Sequence, residues 1–528
     1  MSTGATMPPG VGPDNAVMSV AERLFDFQSP GEAYPRRQVR RYERSSGETA
    51  LSTVEARGSG ASLPIDAALM GNGKLGRGGV SWSLFEGARN PYVILITIYI
   101  FIPYVAATMV GDPVRGQEIV SRWSQYSGWF IMATAPFLGA SIDRLGRRKT
   151  WLGLATILMI PMMACLWWAK PDGTGISVVT VMILTTLIGV LFTYTEVLHN
   201  SLLVRAAGIS AAHKASGLAL ALGNGMAVLA LAFTAWAFAL PGSGLPFVPE
   251  APLFGLDPAQ HEPSRIVAPM AALIFAIGAI PLFLFTPDAK PTGIPIFRAL
   301  ADGARDLKRM ILGMKNHRDA AIFLVSRMFY VDGMTAILLY AGIYATGVMK
   351  WGALEMLMYG IILSVLAVLG GFVGRWLDAG LGPRRAVQIE IFMSLIGIIA
   401  TIGMAPDQIL YFWAYDPSAH APMWNGPFFR TLPEWIYLLI GFSNAIFITA
   451  HYASSRTLLV RLTPPEQTGA FFGVYALSGT ATIWLGSMLV NWGTNIFQSQ
   501  QGGFGMIIIL LAIGFVGLLF VRGGDRQV

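Results

Sequence analysis

Apolar residues in this chain fall into blocks of about twenty, parted by short polar breaks. That spacing constrains the fold class before any motif is read. Wound as a helix at about 1.5 Å per residue, such a block spans the roughly 30 Å hydrocarbon core of a bilayer. The backbone finds no water there, so every N–H and C=O must be bonded within the protein. The expected spans are 91–110, 127–145, 150–169, 176–198, 215–240, 266–286, 320–346, 355–377, 386–404, 434–456, 469–491 and 504–521. An all-α polytopic membrane protein follows, with twelve transmembrane helices.

Composition agrees. Charged residues make up 13% of 528 and hydrophobic residues 54%, whereas soluble domains carry roughly 25% charge. The net charge of +7 does not point to nucleic acid, because the basic residues sit in short loops between apolar blocks. With both termini inside, the inner loops hold Arg144, Arg147, Arg148, Lys149, Arg205, Lys214, Arg384, Arg385, Arg461, Arg522 and Arg526. The outer loops hold only Arg115, Arg122, Lys170, Arg265, Lys350 and Arg430. This bias places both termini in the cytoplasm of a bacterial inner membrane. The single cysteine, Cys165, lies in an apolar block, so it forms no intramolecular disulfide and reads as a packing residue. Neither a Cys/His metal cluster nor a signal-peptide core in the first eighty residues is visible.

Five segments are expected. Residues 1–80 read as a disordered cytoplasmic tail, rich in Gly, Ser, Ala and Pro, with a basic run from Arg36 to Arg44 that can meet membrane lipid. Residues 81–286 form one six-helix bundle, 287–319 a basic cytoplasmic linker, 320–521 a second bundle and 522–528 a short tail. Residues 81–90 read as an amphipathic lead-in on the cytoplasmic surface. Of the two long outer loops, 241–265 is Pro-rich and 405–433 is aromatic. The aromatic cluster reads either as an interfacial belt or as a lid.

The halves echo each other. LLVR occurs at 202–205 and 458–461, and in that alignment Gly217 falls on Gly473 and Gly223 on Gly479. Gly139 and Asp143 pair with Gly374 and Asp378 at a second offset. An even number of spans per half gives two pseudo-symmetric bundles of the same orientation, an arrangement in which a site lies between the halves.

The strongest local signal is GASIDRLGRRK, Gly139 to Lys149, after the second span. It resembles the signature loop of the major facilitator superfamily (MFS). Three segments are similar to the UMF1 branch, bacterial relatives of the fungal vacuolar amino-acid effluxers of autophagy (Atg22-like): SWSLFEGARNPY at 81–92, FLVSRMFYVDGMTAILLYAGIYA at 323–345 and LVRLTPPEQTGAFFGVYALSG at 459–479. Phe85-Glu86-Gly87-Ala88 stands where that branch usually carries aromatic–Asp–Trp–Ala. The resemblance implies the MFS fold and makes Gly139, Asp143, Arg144, Gly146, Arg147 and Arg148 a conformational latch, with Glu466 at a helix start opposite Asp143. Read physically, Gly139 admits a close helix neighbour, and Asp143 suits the positive end of a helix. The simpler reading is an orientation-setting basic loop.

Ionisable groups inside spans are costly and mark function by default. Asp332 lies roughly 18 Å into its span, near the midplane, at about 1.5 Å per residue. It is the leading carboxylate for proton coupling or solute binding, with a structural role as the alternative. Arg327, five residues earlier, points about 140° away, so each needs a partner on another helix. Arg327 reads as recognising a carboxylate or phosphate, or as a locked interhelical group. Asn444 and His451 share a face with each other and read as cavity-lining; Tyr330, Asn224 and Tyr452 complete the candidates. Glu196, His199 and Asn200 form a candidate inner gate at the end of span 4, while Glu86 and Arg89 read as anchors of span 1.

These features predict a monomeric secondary transporter moving a small solute by alternating access. Amino-acid or small-metabolite efflux is what the resemblance implies, with protons as the simplest coupling ion and no cofactor. A solute sensor or scaffold that kept the fold is the alternative. A lipid-acting enzyme lacks a visible nucleophile or metal constellation.

Overall fold

The structure, a computed structural model, describes residues 73–171, 173–242, 247–288, 292–463 and 468–523. The expected tail up to residue 72, Glu466 with its helix start, and residues 524–528 lie outside them. In chain order the principal helices are α1 (Arg77–Met109), α2 (Pro113–Leu145), α3 (Arg148–Trp168), α4 (Val178–Ala207), α5 (Lys214–Ala239), α6 (Glu262–Phe285), α7 (Ile296–Gly313), α8 (Arg318–Gly347), α9 (Ala353–Leu381), α10 (Pro383–Ile402), α11 (Leu432–Leu462), α12 (Thr468–Thr480), α13 (Ile483–Phe497) and α14 (Gln500–Leu519). Among the described residues ten helices, all but α2, α7, α12 and α13, are long and apolar enough to cross a membrane. The chain is an all-α, multi-pass membrane protein.

Helix α1 packs chiefly on α5 and α6, α3 on α4 and α6, and α2 on α4. After α7, α8 packs on α14, α9 on α11, and α10 on α11 and α14. The two groups meet along α2–α13, α5–α9 and α1–α8. We name the end carrying α7 the linker side and the opposite end the far side.

Four expectations change. The lead-in 81–90 does not lie on a surface: Trp82, Phe85, Ala88 and Arg89 are buried within α1, against α5 and α6. Residues 113–126 are helix, not outer loop, because Asp112 caps Val114 N and Arg115 N at 2.9 and 3.2 Å and Pro113 suits the first helical position. The linker contains α7, an amphipathic helix against α2 and α12. The span expected at 469–491 breaks at Ala481–Thr482 into α12 and α13.

Local chemistry explains other ends. Thr431 and Glu434 form a capping box at the start of α11, with Thr431 N donating to Glu434 Oε2 at 2.8 Å. The loop before it carries a two-residue hairpin, β1 (Gln408–Ile409) with β2 (Trp413–Ala414). Its aromatics divide: Tyr415 and Phe429 are buried, Phe429 against Trp351, while Phe412 and Trp413 stay exposed. Gly146 and Gly382 close the α2–α3 and α9–α10 turns at φ of +74° and +82°, conformations side chains resist. Gly146 follows Asp143 by three residues and Gly382 follows Asp378 by four, so the two turns correspond with one residue inserted in the second. In the LLVR echo Leu202 and Leu458 are both buried, and Val204 and Val460 both exposed.

Candidate functional site

The polar centre begins with α1. Its middle is π-helical over Tyr92–Tyr99 and again over Val105–Met109, close to Pro91 and Pro103, which supply no backbone N–H. The wider turns re-aim Tyr92, Ile96, Thr97 and Ile98, a use of π-helix common at functional sites. These residues form one wall of a cavity of about 360 Å³. Helix α2 adds Ser124, Ser127 and Gly128, and α4 adds Thr185, Thr186, Gly189, Phe192, Thr193 and Glu196. Across from them stand Asp332, Thr335 and Leu339 of α8, with Ile483 and Ser487 of α13. The cavity thus lies between the two helix groups.

Asp332 is 4% exposed. Its Oδ2 accepts from Gly486 N at 2.7 Å. The break before α13 makes that possible. Leu485 N bonds back to Thr482 O at 2.7 Å, leaving Gly486 N free for the carboxylate at the positive end of the new helix. Thr482 Oγ1 donates to Met328 O at 2.7 Å, so α8 and the break are joined twice. Asp332 is therefore a helix-end ligand and a cavity group at once.

Arg327 is placed elsewhere. Its Nη1 donates to Tyr475 O at 2.7 Å and Ser478 Oγ at 2.6 Å, and its guanidinium lies 3.5 Å from the Tyr475 ring centroid. It does not line the cavity. Tyr330, fully buried, meets Ser455 Oγ at 2.9 Å and faces His451 edge-on at 5.8 Å. His451 Nδ1 donates to Ile448 O. Asn444 sets its carbonyl against Gly397 of α10, and Asn224 follows Gly223, whose O accepts from Asn90 Nδ2 at 2.6 Å. Of the seven candidates, Tyr452 included, Asp332 alone lines this cavity. Arg327→Lys keeps the charge but loses the planar fork over Tyr475. It is expected to destabilise the solubilised protein by about 1–3 kcal/mol, read as a lowered melting temperature.

The gate candidates sit where α1 meets α4. Arg89 is buried and donates to both oxygens of Glu86 at 3.0 and 2.9 Å. Its guanidinium lies 4.3 Å from the Phe192 ring centroid and 3.8 Å from Glu196. His199 is locked: Nε2 donates to Trp82 O at 2.8 Å, Trp82 Nε1 returns a bond to His199 O at 2.7 Å, and the rings stack at 4.3 Å. Glu196 is half-exposed and reaches the cavity, while Asn200 is exposed.

At the signature loop the side chains of Asp143 and Arg144 lie outside the described residues. Arg148 bonds Ser201 O, and its backbone N reaches Asp288 Oδ1 at 3.0 Å. Lys149 Nζ donates to Phe283 O and Thr286 O at 2.7 and 2.8 Å. These partners all belong to the α4 and α6 side of the molecule. Arg147 is exposed. A Cβ on Gly139 would meet only Val197, at 3.7 Å, so close packing does not require glycine there.

The two ends of the interface differ. On the far side Gln117 Nε2 donates to Thr494 Oγ1 at 2.8 Å, Asn491 Nδ2 to Glu118 O at 3.0 Å, and Gln500 Nε2 to Pro113 O at 2.9 Å. A Cβ on Gly360 of α9 would meet Tyr99 at 3.0 Å and Leu231 of α5 at 3.2 Å. Toward the linker side, a Cβ added at Gly217 or Gly225 of α5, or at Gly371 or Gly380 of α9, would meet nothing within 4 Å.

Sequence reading missed the hydroxyl-bearing walls. Their signal was present: Gln117, Ser121, Ser124 and Gly128, and Thr185, Gly189, Thr193 and Glu196, recur every three or four residues, one helical face each. It also missed Glu390, fully buried in α10, whose Oε1 accepts from Ser454 Oγ at 2.8 Å.

Residues 204–525 match the family described as vacuole effluxer Atg22 like. The chain is similar to the uncharacterized MFS-type transporter YxiO of Bacillus subtilis (strain 168), 22% identical over 455 residues, 84% of this chain and 94% of that one. It is 22% identical to autophagy-related protein 22 of Yarrowia lipolytica (strain CLIB 122 / E 150) over 209 residues, 40% of this chain and 32% of the fungal protein. Among solved structures, the nucleoside transporter NupG has a TM-score of 0.53 at 11% identity, covering 86% of this chain and 100% of that one. A D-xylose-proton symporter gives 0.53 at 14%, covering 85% and 97%. At such identities the likeness is one of fold.

Proposed function

We propose, from the premise that this chain belongs to the vacuole effluxer Atg22-like family, that it is a secondary active transporter of a small solute. The reading completes the ten membrane-length helices to twelve spans, taking α2 as one and the broken α12–α13 as another. They form two pseudo-symmetric six-helix bundles, 81–286 and 320–521, joined by 287–319. The chain works as a monomer in a bacterial inner membrane, with both termini and the linker side cytoplasmic. One observation carries the reading: the cavity is walled by both helix groups, and the groups are joined beyond it on the far side by the bonds of Gln117, Asn491 and Gln500. In the alternating-access scheme this is an inward-facing state.

Asp332 is the coupling carboxylate. Ionised, it holds Gly486 N and ties α8 to α13. A proton arriving through the cavity removes the charge that favours that bond. The tie at the break in α12–α13 then loosens, and the two groups are freed to reorient. Glu196, His199 and Asn200 guard the inner mouth. The signature loop, Gly139 to Arg148, together with Glu466, acts as the latch on the cytoplasmic side. Arg327, Tyr330 and His451 brace α8 against α11 and α12. The Atg22-like premise supports efflux of an amino acid or small metabolite.

Two measurements test this. Purified protein in liposomes is expected to take up at least one member of a broad metabolite pool, faster under an imposed pH gradient. In a Cys165→Ser background, Ser124→Cys is expected to react with an impermeant maleimide from the linker side, and from the far side once solute and gradient are supplied. Absence of flux for every solute, with labelling from one side under all conditions, overturns transport.

A further inference from the structure

The charge of the cavity says something about its cargo. Among the described residues its lining includes two charged side chains, Asp332 on one wall and Glu196 on the other, and no Lys, Arg or His. Against the Glu196 wall lies Arg89, already held by both oxygens of Glu86, beside Phe192 and with Glu196 at 3.8 Å. One guanidinium among two carboxylates leaves that wall negative. The other buried bases among the described residues have partners outside the cavity. Arg327 bonds Tyr475 and Ser478, Arg148 bonds Ser201, and Arg265 bonds Trp167 and Glu262. His199 meets Trp82 and, at 3.5 Å, Glu86, and His451 meets Ile448. The remaining lining is apolar and aromatic, with serine and threonine hydroxyls between.

We infer that the solute bound in this cavity is an organic cation with an apolar body, its positive group seated between Asp332 and Glu196. The inference rests on the transport reading above and narrows its solute: of the amino acid or small metabolite named there it keeps a compact amine and sets aside the zwitterion. An anion would enter between two carboxylates with no base to receive it. A zwitterion would find acceptors for its ammonium group but only hydroxyl donors for its carboxylate. A cation suits the polar part of the lining, the carboxylates and hydroxyl oxygens, and its apolar body suits the aliphatic and aromatic remainder. A cavity of about 360 Å³ is at the small end of ligand sites, suiting a compact amine.

The test uses full-length protein in detergent and two probes of similar size and opposite charge, benzyltrimethylammonium and benzenesulfonate, with leucine as the zwitterion. Saturable binding of benzyltrimethylammonium is expected. Asp332→Asn should weaken it about tenfold or more, and Glu196→Gln by a smaller factor. Glu196 is half-exposed, so its variant reports on binding even where Asp332→Asn disturbs folding. Tighter binding of benzenesulfonate or leucine, no binding of the cation, or cation affinity unchanged in Glu196→Gln overturns the inference. Flux of an anion in liposomes would leave transport standing and remove the cation. Cation binding without flux of any solute would do the reverse.

Discussion

Asp332→Asn is expected to reduce gradient-driven flux to the level of empty liposomes while leaving membrane insertion and the elution profile unchanged. The asparagine, like the protonated acid, retains a carbonyl oxygen that accepts more weakly than a carboxylate from Gly486 N, so the N–H is not stranded. What disappears is the charge. Asp332→Ala is a different experiment: it strands the buried Gly486 N–H, at a cost of about 1–3 kcal/mol, and is expected to lower the melting temperature as well. The pair of variants separates coupling from scaffolding. Wild-type driven flux in Asp332→Asn would end the assignment of Asp332 as the coupling group. Equal melting temperatures for Asn and Ala would show that the bond to Gly486 contributes little.

A second large effect is expected at Gly342 of α8. A Cβ there would overlap the Ile98 carbonyl oxygen and lie 2.9 Å from the Pro103 ring. Both belong to α1, and a backbone oxygen cannot rotate away. Gly342→Val is therefore expected to force α1 and α8 apart on the far side. Overpacking of this kind typically costs about 1–3 kcal/mol. In a protein with two states, that cost falls on the state in which the helices touch. The expected readout is far-side labelling of the Ser124→Cys probe without solute, together with weaker driven uptake. Gly371 of α9 is the control, since a Cβ there meets nothing within 4 Å and the residue does not line the cavity, and Gly371→Val should behave as wild type. Identical labelling in the Gly342 and Gly371 variants would show that the α1–α8 contact does not depend on state.

Much of the fold was legible because lipid imposes a single hydropathy rule on every span. The echoes were legible because their residues keep one spacing in both halves: LLVR with two later glycines in one echo, and glycine four residues before aspartate in the other. The turns closed by Gly146 and Gly382, at φ of +74° and +82°, were not read from them. The rule failed where a helix faces protein instead of lipid. Residues 113–126 carry Arg115, Gln117, Glu118 and Arg122, too polar to read as a span, yet Gln117 bonds Thr494 and Glu118 O receives Asn491. Residues 81–90 look interfacial for the same reason, although Arg89 is buried between Glu86 and Phe192.

In the site, Asp332 stood out because an isolated carboxylate at mid-span demands a partner. That partner is a backbone N–H released by a helix break, and no side-chain pattern records it. Arg327 stood out equally, yet its partners are a carbonyl, a hydroxyl and a ring face. Search by charge complement could not have found them. Serine and threonine in the walls escaped notice because each also serves as an ordinary helix residue bonding the preceding turn, as Thr185 does to Val181 O at 2.9 Å.

The far-side bonds joining Gln117, Asn491 and Gln500 to their partners use amides, a hydroxyl and backbone carbonyls, without an ion pair among them. Mobile ions screen charges, not amide dipoles of this kind. The far-side seal should accordingly hold from dilute buffer to brine, so that the joining of the two helix groups there does not depend on salt.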